Sequence, residues 1–201
     1  MSFQEAICRI RIELSASHEP EISTQRDKLS VVEKELSNIH IETRLKWVRS
    51  IHEQFNRQKL DDSCGVRDWD LILSLDGSAK NSADNESKPS PSTRVYPARY
   101  RIPNAIIERL ESNKEKVERV ELFALGGLLY HVLSGKEMFS CDEGGEHIQS
   151  RLIKGEFPED VWELPKAASI LACWCPKFPK DWLADRTLLS LFRFLDSSPS
   201  P

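Results

Sequence analysis

Several large classes of protein are excluded by what the chain has little of. Its eight glycines stand singly or in pairs. None forms the glycine-rich turn that cradles a phosphate ahead of a helix. Lysine and arginine do not outnumber the acids, and the formal net charge is −4 over 201 residues. No basic face is announced, which argues against nucleic acid or an anionic membrane as a partner. The five cysteines, at positions 8, 64, 141, 173 and 175, are an odd and scattered set. They do not make a disulfide framework. Cys173 and Cys175 flank Trp174, but no second pair stands at ligand spacing. They read as small buried hydrophobes rather than as zinc ligands. Charges fall where a secretory signal needs an apolar core, so the expectation is an intracellular, cytoplasmic protein. There is no internal repeat, no coiled-coil heptad and no apolar run long enough to span a bilayer.

What is present is the composition of a globular chain, 39% hydrophobic and 30% charged. Its most apolar stretch runs from Glu121 to Gly135. Leu122, Leu125, Leu129 and Val132 or Leu133 recur at helical spacing, and Phe123, Leu128 and Tyr130 fill the other faces. A helix apolar nearly all round is buried all round. Gly126 and Gly127 each cost such a helix about 1 kcal/mol against Ala, which makes sense if another backbone comes close there. Gly135 suits the left-handed residue that ends it.

The rest of the chain is read around that helix. Ala6 to Leu14 alternates as a half-buried strand, with Cys8, Ile10, Ile12 and Leu14 on one face. Ser23 or Thr24 caps a helix to about Ser37, striped by Leu29, Val32, Leu36 and Ile39. A second helix, from Glu42 or Thr43 to about Gln58, turns Leu45, Val48, Ile51 and Phe55 inward with Trp47 at its flank. Leu60 to Arg67 is a turn cluster whose adjacent aspartates cap a loop more readily than they bind a cation. Trp69, Leu71, Leu73 and Leu75 form the apolar face of a second strand, which Asp76-Gly77 ends. Residues 78–94 hold almost no apolar side chain and read as a mobile loop. Asn104 caps a short helix through about Ser112, and Asn113 to Lys116 is a charged connector. After the central helix come a loop, a helix from Glu146 to Lys154 and an apolar loop with Phe157, Trp162 and Leu164. A helix opened by Pro165 follows, with Ala168, Leu171 and Trp174 inward. The last helix, Lys180 to about Leu195, carries the stripe Ala184, Leu188, Leu191 and Leu195. The histidines at 40 and 52 are lone residues, read as structural or solvated.

In order and spacing these pieces resemble the C-terminal lobe of a protein kinase, in particular the divergent kinase-like domains of fungi. Arg44-Leu-Lys-Trp-Val-Arg-Ser-Ile51 looks like helix E of that lobe. Asp68-Trp-Asp-Leu-Ile-Leu-Ser-Leu-Asp-Gly-Ser-Ala79 looks like the strand running into the Asp-Phe-Gly metal motif. Tyr100-Arg-Ile-Pro-Asn104 is similar to the Tyr-Arg-Ala-Pro-Glu that closes the activation segment. Glu121-Leu-Phe-Ala-Leu-Gly126, with Leu128-Leu129-Tyr130 and Leu133-Ser134-Gly135 after it, is similar to the helix F pattern, and Phe139 fits the Phe beyond. Lys154-Gly155-Glu156-Phe157-Pro158 and Ala172-Cys173-Trp174 match landmarks of helices G and H.

The resemblance implies a mainly α (α+β) fold. It consists of a truncated kinase C-lobe-like domain over 43–196, a reduced N-terminal segment at 1–42, an activation-segment-like loop at 78–94 and a tail at 197–201. It also implies lost chemistry. Kinases need a phosphate-binding lysine, a catalytic Asp, and an Asn and an Asp for magnesium. The first 42 residues are too few for the ATP-clamping lobe, and no histidine precedes Arg-Asp. The magnesium Asp aligns with Leu75, or with Asp76 after a one-residue slip. Arg67-Asp68 lies too close to Leu75 for a full catalytic loop. The helix F Asp, which holds that loop's backbone, aligns with Glu121, and the Glu closing the activation segment aligns with Asn104. The expectation is therefore a pseudokinase-like protein-interaction module. No catalytic, cofactor-binding or metal-ligating residue is assigned, and its partners are proteins rather than nucleic acid or membrane. The alternatives are an atypical ATP- and Mg-dependent kinase using Asp68, Asp70 or Asp76, or a truncated gene product without a function of its own.

Overall fold

The two alternating stretches at the front of the chain fold as neighbours in one sheet, the second strand serving as partner to the first. The structure, a computed structural model, describes residues 4–6, 8–13, 25–57, 66–82, 94–141 and 144–175. Their order is β1 (Gln4–Glu5), β2 (Cys8–Glu13), α1 (Gln25–Asn38), α2 (Ile41–Arg57), β3 (Trp69–Ser74), β4 (Ala79–Asn81), β5 (Arg94–Val95), α3 (Asn104–Ile107), α4 (Asn113–Ser134), α5 (Gly145–Ile153), a 3-10 turn (Glu159–Glu163) and α6 (Ala167–Trp174). The fold is α+β and mainly helical. One sheet has the order β2-β3-β4, with β2 and β3 parallel and β3 and β4 an antiparallel hairpin. A second, two-stranded sheet pairs β1 with β5. In β3 the side chains of Trp69, Leu71 and Leu73 are fully buried and the residues between them are half-buried, the period of two that the sequence displays. Register aligns Ile10 with Leu71 and Ile12 with Leu73, so the apolar faces of both strands meet the helices together.

Helix α2 packs on both α4 and β4, and α1 on β2. Trp47, read as a flanking residue, is instead fully buried, its indole N–H donating to the Ser74 carbonyl at 2.7 Å. Placed on the border of the stripe, it closes the seam between α2 and the end of β3. Leu36 is fully buried on α1, and Val32 and Ile39 pack against the core beside it. Leu29 and the caps at Ser23 or Thr24 lie outside the described side chains, as do the turn at 60–65 and the helix from Lys180 to Leu195.

Helix α4 begins eight residues before the predicted one. Ser112 accepts from the Glu115 N–H as its cap, and the stretch read as a charged connector is its first turn. From Glu121 to Leu133 every residue is buried. Gly135 closes the helix at φ 83° with its N–H on the His131 carbonyl, as expected of a left-handed C-terminal residue. The two mid-helix glycines serve close contact, chiefly with side chains rather than with another backbone. A Cβ on Gly126 would sit 2.7 Å from Cys173 Cβ and 2.7 Å from Trp174 Nε1. One on Gly127 would sit 2.8 Å from the Tyr100 ring. Helix α6 therefore lies directly on α4, with Trp174 packed between Tyr130 and Phe157 at centroid distances of 5.6 and 5.2 Å.

Four further expectations are corrected. Leu75 is not on the strand's apolar face. It lies past the end of β3 in the hairpin turn, 48% exposed, so a charge there would not enter the core. Part of the loop read over 78–94 is strand β4, with Ala79 and Asn81 buried against α2 and β3. Residues 83–93 are outside the description. Asn104 does not cap α3, which starts on Pro103 and uses no side-chain cap. Ala168 is exposed rather than inward.

Two substitutions on α4 test this arrangement by denaturant midpoint. Leu125→Ala should cost about 2–5 kcal/mol, since the side chain is fully buried. Gly126→Ala should also destabilise, by about 1–3 kcal/mol of overpacking against Cys173 and Trp174, although Ala is the better helix former. A stabilised Gly126→Ala protein would mean that α6 does not lie on this helix.

Candidate functional site

Arg67 and Asp68 lead directly into β3, so the sheet fixes where they stand. The Arg67 N–H donates to Glu121 Oε1 at 3.3 Å, and its Nε lies 3.6 Å from Oε2. Arg67 is further held by its guanidinium, 5.5 Å above the Phe55 ring, which in turn stacks on Trp69 at 6.1 Å. Tyr96 follows β5 and reaches the same carboxylate, its hydroxyl 3.0 Å from both oxygens. The Trp69 indole N–H completes the chain by donating to the Tyr96 oxygen at 3.2 Å. Glu121 is 1% exposed, a carboxylate tying α4 to the start of β3 and the end of β5. Burial pushes its pKa up from 4.5 to about 7, against the opposing pull of Arg67 and the Tyr96 hydroxyl. Tyr96 and Cys8 beside it are held well above their ordinary ranges, first by burial and then by the Glu121 charge.

A second polar cluster sits lower on the helix. The Tyr100 hydroxyl donates to Glu137 Oε1 at 3.0 Å and lies 3.1 Å from His131 Nδ1. The Tyr100 oxygen thus joins the imidazole and the carboxylate in one buried cluster. Burial drives the His131 pKa down to about 3, which keeps the ring neutral. Glu137 pairs with Arg99 Nε at 3.2 Å, and burial raises its pKa in spite of that partner.

Beyond this cluster a cleft of about 320 Å³ opens among Tyr130, Lys136, Glu137, Phe139, Arg151 and Asp160. Lys136, Glu137, Arg151 and Asp160 on its lining are already matched. Asp160 takes Lys136 at 2.9 Å and the Tyr130 hydroxyl at 2.8 Å. Burial works against its carboxylate, but those two hydrogen bonds hold its pKa below the ordinary value. The Arg151 guanidinium lies 4.1 Å over Phe139 and binds Glu156. At about 1.5 Å per residue, the cleft is roughly 20 Å along α4 from Glu121.

The sequence-level candidates do not converge. Asp68 is half-buried just before β3. Asp70 is on β3, with Oδ2 2.6 Å from Arg11 on β2. Asp76 lies in the hairpin turn, where the Ser78 N–H donates to it at 2.7 Å and holds its pKa below the ordinary carboxylate value. At about 3.3 Å per strand residue, β3 carries the chain roughly 13 Å from Asp70 to its end at Ser74, and Asp76 lies beyond that end. Among the described residues, no three His, Cys, Asp or Glu side chains come together as a metal set would. Cys173 is a buried free thiol pushed up to about 12 by burial, in keeping with its reading as a small hydrophobe. His40 is exposed and accepts the Glu42 N–H, and His52 is buried beside Asn56. Among the described residues no helix is long and apolar enough to cross a membrane.

Sequence reasoning aligned Glu121 with a backbone-holding residue but missed its partners Tyr96 and Arg67, and the whole Tyr100–His131–Glu137 cluster. The available signal was a Glu and a His inside an otherwise apolar helix, which require polar partners when buried. No family model matches the chain, and no curated protein does either.

The raised pKa of Glu121 sets a pH dependence. Between pH 4.5 and about 7 the folded state keeps a proton that the unfolded chain has released. Stability therefore falls as pH rises through that window, by on the order of 3 kcal/mol for this group. In Glu121→Gln the group no longer titrates. Urea unfolding at about pH 5 and about pH 8 should show the wild type losing more stability than the variant. Equal losses would show that this carboxyl ionises as easily in the folded protein as in the unfolded chain.

Proposed function

We propose that this chain is a kinase C-lobe-like domain that transfers no phosphate and acts as a protein-interaction module. The observation that carries the reading is the Glu121 contact. The resemblance gives the acidic residue at that position of the pillar helix one task, holding the backbone of the catalytic segment. Here Glu121 accepts the Arg67 N–H, one residue before Asp68. A buried helix with α6 against it and the Tyr100 segment on its glycines supports the same reading.

Loss of chemistry now rests on different ground from a leucine at a metal position, because Leu75 belongs to a hairpin turn. It rests on the placement of the carboxylates. Two metal ions that bridge a transferring phosphate sit about 4 Å apart, whereas Asp70 is near the start of β3 and Asp76 lies past its end, in the turn. Each is also engaged, Asp70 by Arg11 and Asp76 by its own turn. Phosphoryl transfer consists almost wholly of positioning and charge neutralisation, so scattered carboxylates supply little of it. The second reading, an atypical kinase, draws on Asp68 alone, half-buried next to the residue that Glu121 holds.

The full chain incubated with γ-labelled ATP and Mg²⁺ or Mn²⁺ should label neither itself nor a generic protein substrate. Labelling that is lost in Asp68→Asn and kept in Asp76→Asn would replace this reading with the atypical kinase.

A further inference from the structure

Side chains three residues apart eclipse in a 3-10 turn, so the turn Glu159–Glu163 has three sides. Val161 and Leu164 are on the side that meets the core, and Val161 is fully buried. On the second side Asp160 is held by Lys136 and the Tyr130 hydroxyl. Glu159 and Trp162 share the third side, and both are exposed, Trp162 by 71%. The turn is thus anchored without its tryptophan. Glu159 also lines the cleft of about 320 Å³, next to the apolar surfaces of Phe139 and Pro158. From Gly155 to Pro165 the chain holds four acids, Glu156, Glu159, Asp160 and Glu163, and no lysine or arginine. Arg151 takes Glu156, and Lys136 takes Asp160. Among the described residues, the carboxylates of Glu159 and Glu163 have no ion pair.

We propose that Glu159 and Trp162 form a docking surface for a basic segment of a partner protein. A lysine or arginine of that segment lays its stem and cation on the indole and pairs with Glu159 at the mouth of the cleft. An exposed indole supplies both a large apolar area and an electron-rich face for a cation, and tryptophan is a common anchor of protein interfaces. The two unpaired carboxylates select the sign of the partner, since an anionic one would meet them in repulsion. The inference rests on the protein-interaction half of the function proposed above and not on its kinase-like half. Its test measures binding alone, so its failure leaves the phosphate-transfer result standing.

The probes are fluorescein-labelled hexa-arginine and hexalysine peptides, with hexaglutamate as the anionic control, titrated with the full chain and read by fluorescence anisotropy. Both basic peptides should bind and hexaglutamate should not. Affinity should fall several-fold in Trp162→Ala and in Glu159→Gln. It should hold in Glu111→Gln, which removes the same charge from an exposed residue just ahead of α4, at the end of that helix away from the cleft. Glu159 is exposed and unpaired, so Glu159→Gln keeps the fold and decides the matter even where Trp162→Ala lowers stability. Failure of the basic peptides to bind overturns the proposal. An equal loss in Glu111→Gln also overturns it, because the attraction is then general to an acidic protein. Affinity unchanged in Glu159→Gln places the binding elsewhere and overturns it as well, and so does equal binding of hexaglutamate.

Discussion

The structure depends on one close approach, that of Trp174 and Tyr100 to the axis of α4 at Gly126 and Gly127. A helix buried on every side from Glu121 to Leu133 needs neighbours on every side, and a 201-residue chain has few elements to supply them. Removing two side chains lets α6 and the Tyr100 segment reach the helix axis. The gain in dispersion and in excluded water then outweighs the propensity cost of the two glycines. The other faces are filled by α2, by α3 and by the turn before α6. Every layer of the fold is thus measured from α4.

The same burial makes polar groups on that helix costly, and it explains how they are arranged. Glu121 and His131 are each 1% exposed. An ionised group in such a place must be paired, hydrogen-bonded or neutralised. Glu121 combines all three routes, with Arg67 beside it, Tyr96 on both oxygens and a pKa raised to about 7. His131 takes the last two, bound to Tyr100 and held neutral by burial. The partners come from the segments that must be fixed in space: the entrance to β3, the exit from β5 and the Tyr100 turn. Polar burial on α4 therefore fastens irregular chain to the pillar, where no ladder of backbone hydrogen bonds would hold it.

The proposed kinase-like reading rests on that fastening. Glu121 grips the backbone ahead of Asp68, a contact suited to presenting a residue. The carboxylates that would accompany Asp68 are spread along β3 and its turn, where strand geometry keeps them apart. The result is a segment fastened to α4, with Asp70 and Asp76 engaged in structural contacts. The cleft at the other end of α4 has the same character, Asp160 meeting Lys136 and Arg151 meeting Glu156 and the Phe139 ring.

Local periodicity by itself determined the buried identity of the Glu121–Gly135 helix, its left-handed end at Gly135, both long strands and the inner faces of α2 and of the described part of α1. Burial of an all-round apolar helix, or of one strand face, follows from side-chain spacing alone. Tertiary structure alone decided the rest. Parallel pairing of β2 with β3 joins residues about 60 positions apart, which no local pattern encodes. Leu75 continues the alternation of β3 in sequence, but the hairpin turns before it and leaves it in water. Ala79–Asn81 is too short and too polar to show as a strand, and it forms because β3 and α2 cover it from both sides. Trp47 stands on the border of its stripe, and the carbonyl at the end of β3 drew it inward. The partners of Glu121 and His131 were hidden for the same reason. A buried polar side chain must be satisfied, and which tyrosine or arginine satisfies it depends on where loops arrive in space.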